Sequence, residues 1–372
     1  MKTQDLKYKI ALCMLSGVGS ITAKKLVAYV GSVEGIFSEK PQNLIKIPGI
    51  GQHLAAEIIK GRANLEVAEK EMEFLERNKI KTYFYLEKDY PKRLLQCEDA
   101  PILFFCKGEV DFNSKKILSI VGTRSATDNG KEYCEKLISD LAERNHNPII
   151  VSGLAFGIDI IAHRQALKCN LNTIAVLAHG LSYLYPPAHK ETARQICSQG
   201  ALISEYLSMN KPVPQSFVRR NRIIAGLADA TIVVESASKG GALVTADIAN
   251  SYNRDVLAFP GRPTDKASSG CNWLIKENKA ALMENVEDLE KVLNWDVADL
   301  QKTGKQLNLF KEFSAEEKSI IDILKAEGEM NIDKICHQAR LPMNKVSVLL
   351  LNLEFEKVIK CKPGKVFTLV NY

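Results

Sequence analysis

Between residues 117 and 258 the chain alternates short, mostly apolar runs with longer amphipathic stretches. ILSIVG, PIIVSG, NTIAVLAHG, ALISEY, ATIVVES and DVLAFPG are rich in Val and Ile and lack polar alternation, the pattern of strands buried on both faces. The intervening residues 128–145, 154–168, 188–199, 217–228 and 241–253 carry apolar positions at helical spacing. Strand and helix in turn predict a mostly parallel sheet covered on both sides. This is an α/β, Rossmann-like doubly wound core, set at residues 81–294.

The flanks follow different patterns. In residues 1–80, LSGVGSITAKKLVAYVGSVEGIF (15–37) and LIKIPGIGQHLAAEII (44–59) each run from an apolar segment through Gly-x-Gly into an amphipathic helix. Gly17, Gly19, Gly49 and Gly51 allow a tight hairpin and leave backbone amides at the following helix start open to a phosphate. The two segments resemble tandem helix-hairpin-helix motifs. The competing reading is that the glycines merely allow close helix packing. Residues 295–313 are polar without a core pattern and read as a linker. In residues 314–372 AEEKSIIDILKA, NIDKICHQA and MNKVSVLLLNLEFEK predict three helices, and VIKCKPGKVFTLV predicts two strands about Pro363-Gly364, the order of a winged helix. The third helix is expected to bury Val346, Leu349, Leu350 and Leu353 and to leave Asn344, Lys345 and Ser347 outside.

Composition narrows the class. With 372 residues and 46% apolar content the chain can bury a sizeable core. No run approaches the roughly 18 apolar residues of a spanning helix, so no membrane role is expected. Nine cysteines without a C-x-x-C pair or Cys/His cluster argue for reduced thiols in a cytoplasmic protein and against a metal site. The net charge of +6 is spread thinly, 14 basic against 11 acidic groups in residues 1–90 and 24 against 24 in residues 91–300. A polyanion site must therefore arise from local focusing in a groove.

Ligands of parallel sheets gather at the carboxyl ends of the strands. The segments there are Gly122-Thr123-Arg124-Ser125, then Gly153-Leu154-Ala155-Phe156-Gly157-Ile158-Asp159 with Ser152 before it, then Ser236-Ala237-Ser238-Lys239-Gly240-Gly241. Each places small residues where amides at a helix start can approach an anion. One such loop often does nothing but turn; three converging on one sheet edge, with Arg124 and Lys239 among them, point to a phosphate-binding rim. The stretch SFVRRNRIIAGLADATIVVES adds Arg219, Arg220 and Arg222 beside Phe217 and Asn221. A helix starting near Phe217 would turn Ile223, Ile224 and Leu227 to the sheet and hold the three arginines near the rim. The alternative is a solvated face paired with surface carboxylates. Cations plus a ring are what unpaired nucleic acid needs, since charge tracks the backbone and aromatic stacking holds bases. A dinucleotide would call for a tighter glycine fingerprint and an acid closing the second strand, which PIIVSG lacks, so no cofactor is expected.

VGTRSATDNG, SGLAFGIDIIAHRQAL, TIAVLAHGLSYLYPP, FVRRNRIIAGLADATIVVES, GGALVTADIAN and FPGRPTDKASSGCNWLIKENKA, preceded by YPKRLLQCEDAPILFFCKG, resemble the ordered blocks of the DNA-processing protein A family, DprA or Smf, over about residues 82–285. The resemblance implies a non-enzymatic, cytoplasmic, single-stranded DNA-binding protein. It also implies a homodimer that helps load the RecA recombinase in natural transformation. In the family the blocks holding Arg124 and Phe217, Arg220, Asn221 and Arg222 line the DNA pocket; Arg219 and Lys239 join them by proximity. Two departures fall on the rim: Ala178-His179-Gly180-Leu181-Ser182 where a Gly-x-Gly-Leu-Asp is common, and Lys239-Gly240 where Ser-Gly is frequent.

Two other functions compete. Related Rossmann-like domains include phosphoribohydrolases that cleave nucleotides, but Gly240-Gly241-Ala242-Leu243-Val244-Thr245-Ala246-Asp247 lacks their second glycine and glutamate. His163 and His179 have no nucleophile or carboxylate at a recognisable spacing, so no catalytic residue is expected. A winged helix could also mark a transcriptional regulator, against which the near-neutral charge of residues 311–372 argues.

Overall fold

The computed structural model describes residues 2–295, 313–355, 358–362 and 366–369. The linker read at 295–313 and the turn at Pro363-Gly364 therefore lie almost wholly outside the described residues. Two compact units are present, residues 1–301 and 302–372.

The larger unit is built on a nine-stranded sheet: β1 (Lys81–Phe84), β2 (Leu103–Gly108), β3 (Ile117–Val121), β4 (Ile149–Ser152), β5 (Thr173–Leu177), β6 (Gly200–Ser204), β7 (Ala230–Val233), β8 (Asp255–Ala258) and β9 (Ala281–Leu282). Their order is β1-β2-β6-β5-β4-β3-β7-β8-β9. From β6 to β9 every neighbour is parallel, for example Ile117 opposite Ile149 and Val121 opposite Val233. Every residue of β3 to β7 is buried, as expected of strands covered on both faces. β3 to β8 are the six strands that the apolar runs predict.

β1 and β2 extend the sheet antiparallel, with Lys81 opposite Cys106 and Phe105 opposite Ser204. They tie the N-terminal helices to the core. Phe84, Leu103 and Phe105 share one apolar cluster with Ile10, Leu26, Leu44 and Ile58 from the helices Lys2–Cys13, Ser20–Val30, Pro41–Leu44 and Gln52–Lys60. The two Gly-x-Gly hairpins fold alike. Gly17 and Gly49 take φ of +73° and +86°, and Gly19 and Gly51 precede their helices with identical backbone angles, φ −83° and ψ 176°.

In the smaller unit the helices Ala315–Glu327, Ile332–Ala339 and Met343–Phe355 pack on β10 (Glu329–Asn331), β11 (Ile359–Lys362) and β12 (Val366–Leu369), ordered β10-β12-β11. Ser314 and Glu317 close the first helix with a reciprocal capping box. Val346, Leu350 and Leu353 are buried as expected and Leu349 is only half-buried against the same cluster, whereas Val348, Leu351 and Phe355 form an exposed apolar stripe.

Candidate nucleic-acid interface

The chain runs outward from β3 through β4 and β5 to β6, then returns to place β7 against the other side of β3. That reversal opens a crevice beyond the carboxyl ends of β3 and β7, the switch point at which such sheets hold ligands. Its walls are pinned together. The Thr123 amide donates to the Glu235 carbonyl (2.7 Å), and the Ile158 amide donates to the Thr123 carbonyl (3.1 Å). Gly157 has φ +74°, and a Cβ there would sit 2.1 Å from the Thr123 oxygen, so only glycine lets the second loop pass the first. The buried Glu235 carboxylate accepts from the Thr127 amide at 2.9 Å and from its hydroxyl, while that hydroxyl accepts from the Gly130 amide and caps the helix Asp128–Glu143.

The crevice is a cavity of about 670 Å³. It brings together Gly122, Thr123 and Arg124 with Phe217, Arg220 and Asn221, and adds Lys239, Gly240 and Gly241 from the third loop. Ser125 lies exposed beside it, its amide bonded to Thr123 Oγ1 at 3.2 Å. Ser152 and Gly153 lie beneath the wall: Ser152 Oγ donates to the Ile120 carbonyl at 2.6 Å.

The helix carrying the arginines is Pro214–Leu227, starting almost a turn before Phe217 because Pro214 occupies its first turn. Phe217, Arg220, Asn221 and Ile224, spaced i, i+3, i+4 and i+7, form its cavity face. The Arg124 guanidinium carbon stands 5.5 Å from the centre of the Phe217 ring, and Tyr185 meets that ring edge-on at 5.7 Å.

The expectation that all three arginines sit together at the rim requires correction. Arg220 is buried, donating Nη1 to the Gly153 carbonyl (2.6 Å) and to the Val176 carbonyl. Arg219 and Arg222 turn to another face, where Arg222 Nη2 donates to Glu205 and Arg219 Nε lies 3.7 Å from the same carboxylate. Neither lines the cavity, because positions 219 and 222 are roughly 100° or more around the helix from the 217–220–224 stripe. That phasing was present in the sequence and separates the two sets.

Arg220 has an unusual electrostatic setting. Among the described residues it forms no ion pair within 4.0 Å, and its buried Nε has no hydrogen-bond partner. Burial pulls its pKa down to about 10; Asp159 opposes that pull and Arg124 adds to it, so the group stays protonated at neutral pH. Asp159, also in the cavity wall, accepts from the Ala155 amide at 3.3 Å, and burial raises its carboxyl above the ordinary value. Tyr185, Val213, Val218 and Thr245 are lining residues that the motif reading omitted, and Asp159, which closes the second loop, was not singled out as a site residue. Tyr185 had a signal, an aromatic in LSYLYPP.

The two histidines are hydrogen-bonding groups. His179 accepts from the Tyr185 amide at Nε2 (3.3 Å) and so steadies the aromatic mouth, and His163 Nδ1 lies 2.7 Å from Thr173 Oγ1. Among the described residues no cluster of three His, Cys, Asp or Glu is placed for a metal, and no helix is long and apolar enough to cross a membrane. The arrangement offers two guanidinium groups, a lysine, loop amides and two rings meeting edge to face around one crevice, a set suited to phosphates flanked by unpaired bases.

Residues 81–294 match the family model described as DNA recombination-mediator protein A, residues 9–63 a SAM-like helix-hairpin-helix tandem, and residues 311–365 a DprA winged helix domain. The chain is 34% identical over 262 residues to DNA processing protein DprA of Streptococcus pneumoniae, covering 67% of this chain and 92% of that protein. It is 35% identical over 285 residues to protein Smf of Escherichia coli, covering 74% of each. The X-ray structure of the Streptococcus pneumoniae protein superposes with a TM-score of 0.67 at 32% identity, over 77% of this chain and 97% of that one. A Helicobacter pylori DNA processing protein A, whose structure concerns its single-stranded DNA binding mode, superposes with a TM-score of 0.53 at 28% identity, over 58% and 96% of the two chains. The chain thus belongs to the DNA recombination-mediator protein A family, the DprA or Smf proteins, with a DNA-processing role in recombination.

Proposed function

We propose that this protein grips single-stranded DNA in the crevice between β3 and β7 without altering it chemically, and passes the strand to a RecA recombinase. In this reading it acts in the cytoplasm, as a homodimer, in recombination of incoming DNA. The observation that carries the reading is Arg220, a buried guanidinium that among the described residues has no carboxylate within 4.0 Å, beside a second guanidinium held over a ring. A buried cation is stable when a counter-charge meets it, and a backbone phosphate is the counter-charge this cavity admits. The amides of the three loops and Lys239 would hold the neighbouring phosphates, and Phe217 with Tyr185 would stack bases.

Binding of an oligodeoxythymidine followed by fluorescence anisotropy tests this. About four phosphates neutralised on a single strand give a slope of log K against log salt near −3. Arg124→Glu should reduce affinity at least about tenfold regardless of base sequence, and Phe217→Ala by the worth of one stacked base, about 1–3 kcal/mol. Affinity unchanged in both variants refutes the crevice as the site. Nucleoside monophosphates incubated with the protein should release no free base.

A further inference from the structure

Phe156 stands outside the crevice and is 48% exposed, although its neighbour Ala155 lines the cavity wall. We infer that this ring is a further stacking platform, taking a base of the same single strand where it leaves the crevice over Tyr185; the inference rests on the function proposed above.

The rings form a row. Phe217 meets Tyr185 edge-on at 5.7 Å, Tyr185 begins the segment that runs through Pro186 and Pro187 to His189, and His189 meets Phe156 edge-on at 4.8 Å. Tyr185 is exposed and His189 is buried. The row therefore offers a strand one open ring at the crevice and another beyond it, with His189 as a support.

The backbone is built to display Phe156. Leu154 has φ +61°, a left-handed conformation that a bulky residue rarely adopts, and its side chain is fully buried. Its carbonyl accepts from His189 Nδ1 at 2.8 Å, and Asp159 accepts from the Ala155 amide on the next residue. Gly157 then takes φ +74° against the Thr123 carbonyl. In the turn 153–157 Phe156 alone is exposed. An exposed apolar side chain is ordinary by itself; one presented by a strained turn that is pinned on both sides is placed for contact, since such strain gathers at binding sites.

Charge agrees with this assignment. Neither 153–157 nor 184–190 contains a carboxylate, and Lys190 follows His189. Glu191, the next acid along, faces the groove between the helices Ile158–Lys168 and Lys190–Ser198, where Arg164 and Lys168 also lie. A phosphate passing from Tyr185 to Phe156 meets no like charge from either segment.

The test uses the full chain with oligodeoxythymidines of about 6 and about 20 nucleotides, the shorter able to fill the crevice alone. Phe156→Ala should weaken the longer strand about tenfold and leave the shorter one unaffected. Its salt slope should match that of the wild type, because a ring releases no counterion. Phe156→Trp should keep the affinity, and its indole emission should be quenched by the longer strand but not by the shorter; the unaltered protein, with Trp273 and Trp295, supplies the background. Where the alanine variant folds poorly, the tryptophan variant decides alone. Equal losses on both strands, no loss on either, or an indole left unquenched by a saturating long strand overturn the platform while the crevice stands. Wild-type protein that binds neither strand overturns the underlying reading instead.

Discussion

Arg220 and its neighbour Gly153 set the chemistry of the crevice at the scale of single residues. Nη1 of Arg220 is used by two backbone carbonyls, which fixes the plane of the guanidinium and leaves its remaining donors for a ligand. A Cβ at Gly153 would lie 2.3 Å from that nitrogen, so the loop residue must be glycine for the side chain to lie flat. Gly153→Ala should therefore push the guanidinium aside and weaken DNA binding about tenfold or more while keeping every charge, as an anisotropy titration would read. His163 reports on the same interior. Burial holds its pKa at about 3 against an ordinary 6.5. Below pH 6.5 the unfolded chain takes up a proton that the folded chain refuses, so stability should fall by about 1.4 kcal/mol per pH unit as pH drops from there toward 3. Asp159, with its raised pKa, works in the opposite sense. Urea unfolding at stepped pH should show a shallower acid slope in His163→Gln.

Elements explain why parts of the structure were legible in the residues and parts were not. The six parallel strands announce themselves, because a strand covered on both faces is mostly apolar and shows no polar alternation, its few polar positions being small groups such as Ser119 and Thr231. β1 does not: only Phe84 of its four residues is buried, and β9 has two residues in all. Helix starts were blurred in the same way; Asp159 sits in a helix that begins at Ile158, four residues later than the apolar pattern begins. Cavity-facing residues of the helix Pro214–Leu227 follow from its phase, but the fate of Arg219 and Arg222 depended on Glu205, which spacing alone cannot bring near. The cap at Thr127 joins an element to the site. Its hydroxyl closes the helix Asp128–Glu143 and gives Glu235 a donor, so Thr127→Ala should cost about 1 kcal/mol from the cap and more from the buried carboxylate. Denaturant midpoints of the single variant and of Thr127→Ala with Glu235→Gln should separate the two contributions, with the double change milder than the sum.

For the whole molecule, every residue lining the crevice belongs to the unit 1–301. Removal of residues 302–372 should leave that unit folded and its affinity for oligodeoxythymidine within about twofold of the full chain, as a titration of the truncated protein would establish. The sharing of one apolar cluster by the N-terminal helices and β1–β2 was not legible in the sequence, since contact across a sheet edge leaves no periodic trace. The crevice itself draws on Arg124, Phe217 and Gly241, far apart along the chain and adjacent only once β7 has docked beside β3. A polypeptide still emerging from the ribosome consequently lacks the complete crevice, and on the proposed function its grip on a strand there, until residues beyond Gly241 are out. On that proposal, products terminated earlier should not compete with the finished protein for strands at this site.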